Sequence, residues 1–197
     1  MKIYTIVGGV NGVGKSSLTG VLKNRLDDLG VVIDVDQLTA KLGRGPVEGG
    51  KAAIALIEDC LRRGISFTQE TTLAGFRVER TVREARERRY TVRLFYVGLD
   101  SIGECLKRIQ NRVEKGGHDI PKQTVERRFA GRAEALSRVL PYCDEAVFFD
   151  NDNGFVPVAE YHNGEITPLV ENKPRWLVEA LNVFYRGGGL RGVDKPN

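Results

Sequence analysis

The chain has 197 residues, enough for one α/β domain with little room for a second. Its 41% hydrophobic and 28% charged residues exclude a disordered chain, a collagen-like fibre and a disulfide-stapled mini-protein. Thirty Lys and Arg against twenty-six Asp and Glu leave a net charge of +4, too mild for a histone-like nucleic-acid binder and suited to small phosphorylated anions. Cys60, Cys105 and Cys143 are odd in number, widely spaced and outside any CxxC pattern, so they read as reduced packing residues. The N-terminal apolar run is too short for a signal peptide, and no stretch nears the roughly 20 apolar residues that cross a bilayer. A soluble, cytoplasmic protein is expected.

In chain order, Ile3 to Val7 reads as a buried strand closed by Gly8-Gly9. Leu18, Val21, Leu22, Leu26 and Leu29 give helical spacing over Lys15 to Leu29, stopped by Gly30. Val31 to Val35 is a second strand leading to Asp36. Pro46 opens a helix sustained by Ala53, Leu56, Ile57, Cys60 and Leu61 and ended by Gly64. Ile65 to Gln69 is a third strand before the polar corner Glu70-Thr71-Thr72. Phe76 to Arg89 is a charged helix whose Glu79–Arg83 and Glu84–Arg88 pairs mark an exposed, salt-bridged surface. Thr91 to Val97 is a fourth strand.

Ser101, with Glu104 three residues on, caps a helix to about Lys115, and Pro121 opens the next. Ala146 to Asp150 is a fifth strand. Asn151 to Gly154 and Asn163-Gly164 are hairpin-type turns, the second joining Val156–Tyr161 to Ile166–Leu169. Trp176 to Tyr185 is a short amphipathic helix. Strands alternating with helices predict a mainly parallel five-stranded sheet with helices on both faces, followed by a small C-terminal β-hairpin and helix. Residues 1–185 are expected to form one domain and 186–197 a frayed tail.

Gly9-Val10-Asn11-Gly12-Val13-Gly14-Lys15-Ser16 fits G-x-x-x-x-G-K-[ST] at every fixed position. Its glycines let backbone N–H groups converge on phosphate oxygens, and the helix that follows adds its positive N-terminus. Lys15 would reach the β- and γ-phosphates, and the Ser16 hydroxyl would bind Mg²⁺. Placement between a strand and an amphipathic helix makes a chance match a poor account. Gly9, Asn11, Gly12, Val13, Gly14, Lys15, Ser16 and Ser17 are therefore the expected nucleotide cradle.

Ligands of open α/β sheets bind at the carboxyl ends of the strands. The second strand ends in Asp34-Val35-Asp36 and the third in Glu70-Thr71-Thr72, on the rim that holds the cradle. Asp36 suits a general base that deprotonates an alcohol as the γ-phosphoryl group leaves ATP, or else the N-cap of a helix starting near Gln37. Asp34 is an alternative base. Glu70 suits substrate hydroxyls or a Mg²⁺-bound water.

Lys107, Arg108, Arg112 and Lys115, then Gly116-Gly117-His118, then Arg127, Arg128 and Arg132 look like a mobile lid over about 107–132. Its arginines either clamp the transferring phosphoryl group or lie on a solvated face. His118 and His162 carry no signal by themselves.

The P-loop through Ser17, the Asp36 corner, Glu70-Thr71-Thr72-Leu73-Ala74-Gly75, Arg112-Val113-x-x-Gly116-Gly117-His118-Asp119-Ile120-Pro121, Arg127-Arg128-Phe129 and Phe149-Asp150-Asn151 together resemble the zeta toxin family of P-loop kinases, closest to its small stand-alone branch. The resemblance covers about Ile3 to Asn151. It implies the P-loop NTPase three-layer α/β sandwich and transfer of the γ-phosphoryl group of ATP, with Mg²⁺, to the 3′-hydroxyl of the sugar in UDP-N-acetylglucosamine. It also implies an antitoxin partner. On this resemblance Lys15 and Ser16 match the P-loop Lys and Mg²⁺ ligand, and Asp36 the base. Glu70 matches the acidic residue that positions the sugar, and Thr71 and Thr72 beside it on the rim are candidate substrate-binding residues. Arg112 and Arg128 match the phosphate-clamping arginines, with Arg127 and Arg132 as register alternatives. Asp34 stands where the family usually has Asn. The competing readings are a kinase for a nucleoside or another small metabolite, and a non-catalytic ATP-binding switch. A nucleic-acid ATPase is disfavoured, because no aromatic-basic interleaving marks a strand groove.

Overall fold

The computed structural model describes residues 1–43 and 45–187. Five parallel strands form the centre: β1 (Ile3–Gly8), β2 (Val31–Ile33), β3 (Phe67–Thr71), β4 (Thr91–Gly98) and β5 (Glu145–Asp150). Two more, β6 (Val156–His162) and β7 (Glu165–Pro168), extend the sheet antiparallel, giving the order β2-β3-β1-β4-β5-β6-β7. The expected separate hairpin is thus part of the main sheet. The turn at Asn151–Gly154 is short enough to return β6 onto the edge of β5, whose backbone groups would otherwise be left unpaired.

The eight helices of the described residues are α1 (Lys15–Lys23), α2 (Val35–Leu42), α3 (Pro46–Arg63), α4 (Arg77–Glu87), α5 (Ile102–Glu114), α6 (Lys122–Ala130), α7 (Arg132–Val139) and α8 (Arg175–Arg186). They cover both faces of the sheet and leave two cores. One, under α3, α4, α7 and α8, holds Tyr4, Phe67, Leu94, Phe148 and Trp176. The other, under α1 and α5, holds Val7, Val13, Leu18, Leu22, Val97 and Cys105. All three cysteines are buried and unpaired, as the sequence predicts, and burial pushes each thiol up, Cys105 to about 11.

Several boundaries differ from expectation. Helix α1 stops at Lys23, because the chain tightens into i→i+3 bonds from Asn24 to Val21 and from Arg25 to Leu22. Leu29 still packs in the α1-side core from outside the helix. The third strand runs two residues later than read, since Ser66 binds the starts of neighbouring strands: its carbonyl accepts from Val31 N–H and its hydroxyl from Ile3 N–H. Glu70 and Thr71 consequently lie within β3. The second strand ends at Ile33 because Asp34 caps α2. The helix from Pro121 breaks at Gly131 into α6 and α7.

Helix α4 makes both expected surface pairs, at 2.6 Å for Arg83–Glu79 and 3.0 Å for Arg88–Glu84. Its other face buries Val78, Val82 and Ala85, so only half of it is the solvated surface expected. At the C-terminus Arg186 closes α8 and Gly187 caps it; the rest of the expected tail, 188–197, lies outside the described residues. Among the described residues no helix is long and apolar enough to cross a membrane.

Candidate active site

Strand β1 pairs with β3 on one side and β4 on the other, so the chain leaves Gly8 at the switch point where an open α/β sheet forms a crevice. The loop from Gly9 to Gly14 turns there into α1. Two glycines are required by the turn. Gly12 has φ +83°, and a Cβ on it would lie 2.4 Å from the carbonyl oxygen of Cys105 in α5. Gly14 has φ +102°, and its Cβ would lie 2.5 Å from Asn151 Nδ2. Any side chain would be strained at both positions.

A cavity of about 720 Å³ opens over this loop. Asn11, Gly12, Gly14, Lys15, Ser16 and Ser17 line it, whereas Gly9 and Val13 do not. Val13 is fully buried beneath, and its carbonyl accepts from Asn151 Nδ2 at 2.7 Å. The strand-end residues Asp34, Asp36, Gln69, Glu70, Thr71 and Thr72 form the facing wall. Arg108, Arg112 and Arg128 come down from α5 and α6, with the segment from His118 to Pro121 beside them. The expected cradle, rim and lid therefore share one space.

The rim removes the capping alternative for Asp36. Asp34, not Asp36, is the N-cap of α2: its Oδ1 accepts from the N–H groups of Asp36 at 2.9 Å and Gln37 at 3.5 Å. Its Oδ2 accepts from Gln37 Nε2 at 3.1 Å, so this carboxylate is fully engaged in holding the helix start. Asp36 is left in the first turn of α2, exposed and facing the cavity.

Lys15 is half-buried, not exposed as a bare P-loop lysine would be, and its ammonium donates to Val10 O at 3.0 Å. Burial lowers its pKa to about 8, against the opposing pull of Glu70, Asp36 and Asp34. Glu70 is buried, and its Oε2 accepts from the Ser16 hydroxyl at 2.7 Å. Its other oxygen, Oε1, is buried with no hydrogen-bond partner among the described residues. Burial holds the Glu70 carboxyl above the usual range, offset in part by the Thr19 and Ser16 hydroxyls.

The register alternatives for the lid separate cleanly. Arg112 Nη1 reaches Asp36 Oδ2 at 3.4 Å, and its Nη2 donates to His118 O at 2.8 Å. Arg128 Nη1 donates to Asn11 Oδ1 at 2.8 Å, and burial, with Arg127 beside it, lowers its pKa. Arg127 is exposed and does not line the cavity. Arg132 turns away to Glu179 of α8 and to Phe129 O.

Sequence reasoning placed Arg108 in the lid and quoted Asn151 without assigning either a contact. Asn151 ties β5 to the loop through Val13 O, and Arg108 Nη2 donates to Asn151 O at 2.9 Å while its Nε binds Glu104. Asn151 belonged to the quoted Phe149-Asp150-Asn151 segment, but nothing in sequence spacing predicts a bond across 138 positions.

No protein-family model matches the chain. Solved structures of the same fold include the PezAT chromosomal toxin–antitoxin system of Streptococcus pneumoniae, with TM-score 0.61, 18% identity and coverage of 98% of this chain and 88% of that one. A complex of AvrRxo1-ORF1 and AvrRxo1-ORF2 solved with ATP gives TM-score 0.67 at 18% identity, over 91% of this chain and 64% of that one. The Pnkp1/Rnl/Hen1 RNA repair complex gives 0.55 at 16% identity, over 88% of this chain and half of that one. The fold is the P-loop NTPase three-layer α/β sandwich that the resemblance to zeta toxins implied. The chain belongs to the family of an uncharacterized protein of Haemophilus influenzae, to which it is 32% identical over 126 residues, 61% of this chain and 88% of that protein.

Proposed function

We propose that the protein is a zeta-toxin-like kinase that transfers the γ-phosphoryl group of ATP to an alcohol of a small anionic acceptor, with the sugar of UDP-N-acetylglucosamine as the first candidate. The observation that carries this reading is the single cavity onto which Lys15, Asp36, Glu70, Arg112 and Arg128 all open. The fold it shares with a chain of a toxin–antitoxin system and with a chain of a complex solved with ATP supports it. By the same likeness an antitoxin is the proposed protein partner.

The residues fit a nucleotide and its metal. The loop leaves no room for a Cβ at Gly12 or Gly14, as a backbone cradle for phosphate oxygens requires. Glu70 Oε1, buried and without a partner among the described residues, lies on the same carboxylate that holds the Ser16 hydroxyl, and these oxygens would suit a hard cation or its water. ATP would supply the phosphoryl group, and Mg²⁺ the neutralisation of its β- and γ-oxygens.

Ser16 and Glu70 would hold the metal side, which favours the second of the two roles open to Glu70 in the sequence. Lys15, freed from Val10 O, would bind the phosphate tail. Asp36, with no capping duty, would accept the proton of the acceptor alcohol. Arg112 and Arg128 would leave Asp36 and Asn11 to neutralise charge on the transferring group. Thr71 and Thr72, half-buried on the rim, would bind the acceptor.

The test is ADP release with Mg·ATP and UDP-N-acetylglucosamine, beside a panel of nucleosides and small hydroxy acids. Asp36→Asn is expected to lower turnover by about 10²–10⁴ with ATP affinity retained. Full turnover in that variant removes Asp36 as the base. ATP binding without turnover on any acceptor leaves only a nucleotide-binding switch.

A further inference from the structure

Gln69 lines the same cavity but has no part in the chemistry above. It precedes Glu70 on β3, and strand alternation sends it to the opposite face of the sheet, the face of Tyr4 and Phe67. Ile6 is its register partner on β1, and Tyr4 lies two residues earlier on the same face.

Tyr4 is wholly buried and stacked on Phe67, with ring centroids 4.4 Å apart. A buried hydroxyl has one proton to place, and leaving it unpaired is costly. The Tyr4 hydroxyl donates to Gln69 Oε1 at 2.5 Å, its one hydrogen bond among the described residues. Burial pushes Tyr4 far above the ordinary tyrosine range, so it remains a donor at any working pH.

That bond fixes which way the carboxamide lies. Oε1 is committed to the core, and the amino group, unpaired among the described residues, is left for the cavity that Gln69 lines, half-buried. A pinned amino group offers donors only. An alcohol meeting it must still place its own proton, whereas a carbonyl or carboxylate oxygen, which only accepts, is matched completely. We propose that Gln69, oriented by Tyr4, is a specificity residue that reads a carbonyl or carboxylate oxygen of the acceptor. The substrate class is then an alcohol that also carries such an oxygen. The proposal rests on the kinase reading for the word acceptor, but its test does not need turnover.

The experiment measures binding to the whole chain held with Mg²⁺ and a non-hydrolysable ATP analogue. Two matched pairs serve as probes: UDP-N-acetylglucosamine against UDP-glucose, and gluconate against sorbitol. In the wild type the carbonyl- or carboxylate-bearing member of at least one pair is expected to bind about tenfold tighter. Gln69→Met should reduce that preference to within about threefold while nucleotide affinity stays unchanged. Because Gln69→Met also strands the Tyr4 hydroxyl, Gln69→Glu is the second variant: it still accepts from Tyr4 but presents an oxygen, and should abolish or invert the preference. Tyr4→Phe, which frees the carboxamide to flip, should give an intermediate value.

No preference in either pair, or a preference that survives both Gln69 variants, overturns the assignment. A preference lost in those variants without ADP release from any acceptor upholds Gln69 and overturns the kinase reading instead.

Discussion

The two walls of the cavity are held in place by different means. The phosphate-loop wall is fixed from beneath: Val13 is buried, its carbonyl is tied to Asn151, and Gly12 and Gly14 press against α5 and Asn151 at distances no side chain tolerates. The lid wall is fixed from above by a few polar contacts of partly exposed arginines, among them Arg112 to Asp36 and His118 O and Arg128 to Asn11. Burial makes the first wall one fixed shape. The second can exchange its contacts for phosphate oxygens at little cost: the exposed Arg112–Asp36 ion pair contributes only about 0–1 kcal/mol. The Arg128–Asn11 bond is a single hydrogen bond to a neutral amide, contributing a net of about 1.5–3 kcal/mol that a phosphate oxygen would replace. A kinase needs both properties, a preformed cradle and a closure that responds to what it closes on.

The largest expected effects test whether the lid wall takes part in chemistry. Arg112→Ala and Arg128→Ala should each lower turnover by about 10³ or more while leaving the thermal midpoint nearly unchanged. Near-wild-type rates from both would reduce that wall to a solvated surface. On the opposite wall, Lys15→Ala should cost about 10²–10³ in turnover and weaken ATP binding as well. A pure rate effect with full nucleotide affinity would contradict the placement of the phosphate tail.

Lys15 also supplies a pH test with a definite sign. Burial lowers its pKa to about 8, and an anion binds better to its protonated form. ATP affinity should therefore be flat below about pH 7.5 and fall above pH 8, with proton uptake on binding in that range. Without ligand, the unfolded chain holds this proton up to its ordinary pKa near 10.5, while the folded chain releases it from about 8. Between those values the unfolded state binds more protons, so the Lys15 contribution makes the fold more stable as pH rises. Lys15→Met should remove both dependences, which calorimetry and thermal unfolding across pH 7 to 10.5 would measure.

What the sequence disclosed follows the same division. The Gly9–Ser16 loop was legible because the phosphate-cradling role proposed for it demands glycines at fixed spacing, and backbone geometry needs no distant partner. The strand–helix alternation was legible because apolar periodicity reports burial directly. The two roles open to Asp36, base or cap of α2, were not separable in the sequence: Asp34 and Asp36 have the same chemistry, and only the end of the short β2 at Ile33 gives the cap to Asp34. The bonds of Asn151 to Val13 and to Arg108 were hidden because those partners lie far along the chain. The choice of Arg128 over Arg132 turned on helix phase, which the break at Gly131 resets.

Stability variants sharpen the contrast at smaller scale. Asn151→Ala leaves the buried Val13 carbonyl without its donor and should cost about 1–3 kcal/mol, read as a lowered denaturant midpoint together with weaker ATP binding. Asp34→Ala removes the α2 cap and should cost about 1 kcal/mol, loosening the segment that carries Asp36. If Asn151→Ala proves as mild as a surface change, the cradle is not anchored from below.

The smallest effect calibrates all the others. Arg83 pairs with Glu79 at 2.6 Å across one turn of α4, with more than half of the arginine side chain exposed. Such i,i+4 pairs contribute about 0.3–0.5 kcal/mol and are screened by salt. Arg83→Ala should also lose the contact of its guanidinium over the Tyr142 ring, 4.9 Å from the centroid, which at an exposed site adds about 0.5–1 kcal/mol. A double variant with Glu79→Ala separates the two: if the ion pair dominates, the second substitution adds almost nothing at low salt. If the ring contact dominates, Arg83→Ala costs the same at 0.05 and 1 M salt to within about 0.3 kcal/mol. Turnover should be unchanged in either case, because this face of α4 packs away from the cavity and carries none of its lining residues.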